Sequence, residues 1–186
     1  MRDVATAFQP VTRNSAFSRH TMVGPMSDRI NDFAEYHRNL PHWQQPGALH
    51  FLTLNLYDRS LCDLTRPQIA PVVIDALRFF HGERYTLFDY TVMPDHAHLL
   101  MEPARDGEGW FPLSRITHSI KSWTANRINA VLGRQGQFWQ EETYDHIVRD
   151  RNDLRLLTDY IWMNPVRARL VERPHDWPWW GRGDGR

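Results

Sequence analysis

His96-Ala97-His98 sets two imidazoles two residues apart, and Tyr160 and Asn164 stand four residues apart. Alternate side chains of an extended strand share a face, so both histidines would aim at one point. Two such nitrogens suit a Mg, Mn or Zn ion, but they fall short of the ligand set that closes a structural site. On a helix, a spacing of four stacks two side chains, bringing a phenol and an amide toward a common locus. A tyrosine hydroxyl ordinarily keeps its proton until about pH 10, so it becomes a nucleophile only with help from a metal, a base or water. Each pair also has a plainer account. The histidines could be polar residues on a strand's solvent face, and Tyr160 a core aromatic with Asn164 capping its helix before Pro165. Tyr144, beside Asp145 and His146, is a competing nucleophile, but it lacks a partner at the following turn. Neither a strand-turn-helix serine elbow nor a Cys-His block is present, so a triad hydrolase has no support.

These residues need elements to hold them. Residues 50–57 alternate apolar and polar as a half-buried strand does, and residues 69–80 carry apolar side chains at spacings of three and four, which predicts a helix ending near Gly82. Residues 85–93 and 96–102 flank Pro94-Asp95 and read as a hairpin whose second strand opens on the histidines. A second helix spans residues 113–132, with Ser114 as its cap and Gly133 as its stop. Short strands are expected at residues 136–139 and 144–148. Asp150 caps a third helix through Leu154, Leu157, Tyr160 and Ile161, which should end or kink at Asn164 because Pro165 disfavours helical geometry before it. The order of elements predicts an α+β fold, a ferredoxin-like antiparallel sheet covered by helices. The expected division is an arm of residues 1–40 with a helix at 28–38 capped by Ser27, a catalytic domain of residues 41–180, and a flexible tail of residues 181–186.

The chain has 186 residues, 22 Lys and Arg against 22 Asp and Glu, and one cysteine, Cys62. One domain, no internal disulfide and a cytoplasmic setting are expected. No stretch approaches the roughly 20 apolar residues of a membrane span, so no membrane partner is expected. Zero net charge weighs mildly against nucleic acid, yet Lys121 is the sole lysine, and arginine grips phosphate in bidentate fashion. For DNA contact the candidates are Arg115, Lys121 and Arg127 on the second helix, with Arg149, Arg151 and Arg167 nearer Tyr160. A solvated helix face accounts for each equally well. Trp123, Trp139 and Trp162 are candidates to stack on unpaired bases, although core packing is the commoner fate of tryptophan.

Several blocks together resemble one family. They are residues 92–100 (VMPDHAHLL), 136–140 (GQFWQ), Tyr144-Asp145-His146, Arg149-Asp150, and residues 159–168 (DYIWMNPVRA). In this order they are similar to the REP-associated tyrosine transposases, single-tyrosine nucleases of the HUH type. The likeness runs from Leu40-Pro41-His42-Trp43 to about Trp179. It implies that His96, His98 and Asn164 bind a divalent metal, Mg or Mn, and that Tyr160 is the nucleophile, with His96 and His98 counted in the catalytic set. It further implies single-stranded DNA bearing REP-type palindromic hairpins as the partner, a 5′-phosphotyrosine intermediate, and a monomer, with a dimer as the alternative. A catalytically silent hairpin-binding protein and a metal-dependent hydrolase of another substrate are the competing functions. Arg169 stands where the family pattern expects glycine, which puts a tight turn there in question.

Overall fold

The computed structural model of the protein describes residues 47–183. The arm of residues 1–40 with its helix at 28–38, the block at residues 40–43, and residues 184–186 lie outside the described residues.

Strand β1 (His50–Asn55) leads through a turn region to helix α1 (Ala70–Phe79). There Pro71 sits in the first turn, where a missing N–H costs nothing. Strands β2 (Tyr85–Val92) and β3 (His96–Pro103) form the expected hairpin, followed by a small ribbon of β4 (Arg105–Asp106) and β5 (Gly109–Trp110). Helix α2 (Leu113–Val131), strand β6 (Tyr144–Ile147), helix α3 (Arg151–Arg167), a 3-10 turn (Pro174–Asp176) and strand β7 (Trp180–Arg182) complete the chain.

The large sheet has the order β6-β1-β3-β2-β7, with every neighbouring pair antiparallel. The first four strands reproduce the ferredoxin-like arrangement expected from the sequence, in an α+β fold. Helices α1 and α2 cover one face, where Leu52, Leu54, Ala97, Leu99 and Met101 meet Val73, Leu77, Ile116 and Ile120. Helix α3 covers the other, joining Leu157 and Ile161 to Phe51 and Leu100.

Several local expectations change. Strand β1 is buried on both faces rather than half-buried, because α3 roofs the side that its alternation marks as polar. Ser114 does not cap α2: the helix starts at Leu113 with Pro112 as its flanking residue, so Ser114 already lies in the first turn. Residues 136–139 make only a bridge between Leu56 and Trp139, not a strand. Helix α3 runs through Pro165 to Arg167 instead of stopping at Asn164. Leu157, Ile161, Asn164 and Pro165 are buried together, and such packing overrides local preference. The tail does not begin at residue 181, because Gly181 and Arg182 belong to β7 and pair with Tyr90 and Asp89. Gly181 lies against the Tyr90 side chain with no room for a Cβ. The Asp150 cap is as expected, its Oδ1 accepting from the backbone N–H of Asn152 at 2.8 Å and of Asp153 at 2.9 Å. No helix among the described residues is long and apolar enough to cross a membrane.

Candidate active site

The register of the sheet builds the floor of the site. Thr53 of β1 and Thr91 of β2 both pair with His98 of β3, forming one row across three strands, and Asn55 pairs with His96 in the next. Thr53 Oγ1 lies 2.9 Å from His98 Nδ1, and Asp95 Oδ1 lies 2.6 Å from His96 Nδ1. Asp95 is itself engaged through Oδ2 by Arg59 Nε at 3.1 Å. With each Nδ1 occupied, the two Nε2 atoms face one another at 3.0 Å. As a hydrogen bond, that contact needs one Nε2 protonated and the other bare.

His98 is only 5% exposed. Burial, reinforced by the neighbouring His96, holds its imidazole well below the ordinary range, so it is neutral at physiological pH. The neutral ring is the form that ligates metals. The hydrogen bond from His96 holds the Asp95 carboxyl below the usual range despite partial burial, with Arg59 adding to the effect.

Helix α3 supplies the roof. Its Tyr160 ring meets His98 edge-on at a centroid distance of 5.1 Å, and Phe51 lies between β1 and α3 against both rings. Burial raises the Tyr160 hydroxyl above its usual range, opposed by a hydrogen bond with the Asn164 side chain and by the charge of Arg167. The Arg167 guanidinium lies 5.7 Å from the Tyr160 ring centroid. Tyr160 and Asn164 lie one turn apart on α3, with Asn164 buried. Tyr144 borders the same cluster, its ring 6.3 Å from that of Phe51, and burial raises its hydroxyl as well.

Among the described residues no group of three or more His, Cys, Asp or Glu has a metal-holding arrangement. The His96–His98 pair nevertheless fits a divalent ion: two ligand atoms at adjacent positions of an octahedron with bonds of about 2.1 Å stand about 3.0 Å apart. Asn164 is buried on α3, one turn beyond Tyr160.

The cationic candidates separate by layer. Arg115 and Arg127 are exposed on α2, across the sheet from Tyr160. Lys121 is committed to the fold, its Nζ donating to the carbonyls of Gln140, Glu141 and Glu142 at 2.9, 3.0 and 3.0 Å, so its ammonium is not free for phosphate. Arg149 and Arg151 are exposed at the start of α3, with Arg151 nine residues before Tyr160, about 14 Å along the axis. Only Arg167 of the six reaches the phenol. Trp139 is core, donating from Nε1 to Thr124 Oγ1 at 2.8 Å, and Trp162 packs on Trp180 at 4.4 Å. Trp123 is 46% exposed, with Arg127 5.9 Å from its ring centroid.

Four residues of the site escape a reading of motifs. Asp95 adjoins the histidine pair in sequence and was legible as a partner, but as part of Pro94-Asp95 it reads as turn chemistry. Phe51, Thr53 and Arg59 arrive through strand register and loop placement, which leave no local signal.

The sheet, the strand-borne histidine pair and the helix-borne tyrosine define an α+β protein with a histidine–tyrosine site. The comparisons agree with that class. The chain is 28% identical over 144 residues to a REP-associated tyrosine transposase of Haemophilus influenzae, covering 72% of this chain and 78% of the relative. It is 26% identical over 132 residues to the REP-associated tyrosine transposase of Escherichia coli, covering 71% and 74%. A solved structure of a REP-associated tyrosine transposase bound to a REP hairpin superposes with a TM-score of 0.63 at 24% identity, covering 77% of this chain and 81% of that one, and shows the shared fold. No family model matches. The chain is similar to the REP-associated tyrosine transposases, as its motif blocks imply.

Proposed function

We propose that this protein is a metal-dependent nuclease and strand transferase that acts on single-stranded DNA at REP-type palindromic hairpins, with Tyr160 as its nucleophile. The observation that carries this reading is the meeting of Tyr160 with His98, ring centroids 5.1 Å apart, beside the convergent Nε2 atoms of the histidine pair. The relatives' names, and the hairpin in the structural neighbour, favour DNA as the substrate.

His96 and His98 would hold Mg or Mn through Nε2, with Asn164 as a third ligand. The ion, when bound, would polarise the scissile phosphate and offset charge in the transition state. The Tyr160 hydroxyl gives up its proton as its oxygen attacks phosphorus, the bond from phosphorus to the 3′ oxygen breaks, the departing 3′ oxygen takes up a proton to become a hydroxyl, and the 5′ phosphate stays on the phenol as an ester. Attack by a 3′ hydroxyl reverses these steps, so rejoining consumes no ATP. Arg167 steadies the phenolate and the phosphate beside it. We read the protein as acting as a monomer in the cytoplasm.

The test is incubation with Mg2+ or Mn2+ and labelled single strands of palindromic repeats flanking its own gene. A denaturation-resistant adduct, absent in Tyr160→Phe and after chelation, is the expected result. Hairpin binding without an adduct under either metal would instead identify a silent binder, and absence of binding would reject DNA as the substrate.

A further inference from the structure

The two imidazoles do not face one another by chance of rotamer, because each is held by a group at its far nitrogen. We infer that Asp95 and Thr53 are positioning residues that turn the Nε2 atoms of His96 and His98 toward a common point. This rests on the metal role proposed for the pair, but it is carried by separate contacts.

The chain of contacts is continuous. Arg59 Nε pairs with Asp95 Oδ2 as an ion pair at 3.1 Å, and Asp95 Oδ1 takes His96 Nδ1 at 2.6 Å. The carboxylate can only accept, so His96 must carry a proton on Nδ1, which leaves Nε2 to face His98. Asp95 is a quarter exposed and Arg59 is mostly exposed, so this end of the network reaches the rim of the site. At the other end, Thr53 is buried, and its Oγ1 lies 2.9 Å from His98 Nδ1.

The two supports differ in kind. A carboxylate enforces one tautomer of His96. A hydroxyl both donates and accepts, so Thr53 serves His98 with its proton on either nitrogen. That matters because a cation at Nε2 of both rings needs both lone pairs free, so neutral His98 would then carry its one proton on Nδ1, and the Thr53 hydroxyl can rotate to accept it. Thr53 and His98 are cross-strand partners, so the β1–β3 register itself places the hydroxyl.

Two readouts test this. Two-bond 1H–15N spectra of 15N-labelled full-length protein at about pH 8, above the ordinary histidine range near 6.5, report which ring nitrogen carries the proton. The wild-type protein should show His96 protonated on Nδ1, and Asp95→Ala should move it toward the Nε2-protonated form that free imidazole side chains favour. Asp95→Asn keeps an acceptor oxygen and should keep the tautomer, which separates orientation from loss of fold. In Mn2+ titrations followed by electron paramagnetic resonance, Asp95→Ala and Thr53→Val should each bind about 10- to 100-fold more weakly, as is usual when a partner behind a ligating histidine is lost. Thr53→Ser should restore binding. An unchanged His96 tautomer in Asp95→Ala overturns the inference, as does wild-type Mn2+ affinity in Asp95→Ala and Thr53→Val. If the wild-type protein binds no Mn2+, the metal reading fails, and a tautomer shift in Asp95→Ala would still uphold the orienting role of Asp95.

Discussion

Phe51 stacks on His98, ring centroids 5.2 Å apart and planes 27° from parallel, and the same phenylalanine meets Tyr160 edge-on at 5.8 Å. One buried side chain therefore sets the spacing between the sheet-borne imidazole and the helix-borne phenol.

Phe51→Ala should cost about 3–5 kcal/mol of stability, the usual penalty for emptying a core aromatic site. Phe51→Leu keeps most of the volume and should cost no more than about 2 kcal/mol, while the ring contacts that space His98 and Tyr160 are lost. Urea unfolding measures the first effect. For the second, the rate of adduct formation should fall while hairpin affinity holds. If the Phe51→Leu variant reacts at the wild-type rate, this ring does not position the reactive pair.

Lys121 gives a pH dependence with a defined sign. Burial pushes its ammonium down from the usual 10.5 to about 8, against the pull of Glu141 and Glu142. Between those two values the unfolded chain binds more protons than the folded one, so stability from this group rises with pH across that window. It is present in full above the upper value and lost as pH falls through the lower. Urea midpoints of the wild-type protein, compared with Lys121→Met from neutral pH upward, should therefore shift in favour of the wild type as pH rises. A shift the other way would mean that the three carbonyls stabilise the ammonium more than burial penalises it.

Arg169 ends α3 in left-handed backbone, with φ at 57°. The Leu170 N–H donates to the Pro165 carbonyl and the Arg169 N–H to the Val166 carbonyl, both at 2.9 Å, the bonding of a Schellman turn. The tight turn that arginine puts in question is therefore made, at the cost a side chain pays in this region. Arg169→Gly should stabilise the protein by up to about 1 kcal/mol, the strain removed being partly offset by the greater freedom glycine loses. Thermal or urea unfolding reads this directly. A less stable glycine variant would show that the Arg169 side chain contributes more than its backbone costs.

The sequence by itself determined the order of elements, because periods of two and of three to four are local patterns that follow from which faces must be buried. It also picked out His96, His98, Tyr160 and Asn164, since spacings of two on a strand and four on a helix make neighbours without reference to the rest of the chain. Asp150 was legible as a cap for the same reason, its bonds reaching only two and three residues on. What lay beyond the sequence were relations between distant segments. The row of Thr53, Thr91 and His98 depends on the register of three strands, and the double burial of β1 depends on where α3 lands. The commitment of Lys121 to carbonyls about 20 residues away, and the passage of α3 through Pro165, are likewise settled by packing. Strand β7 carries no alternation in its three residues, and only the fit of Gly181 against Tyr90 brings it to the sheet edge. Local patterns name the candidate groups, but their orientation comes from contacts between segments far apart in the chain, and only the folded core forms those.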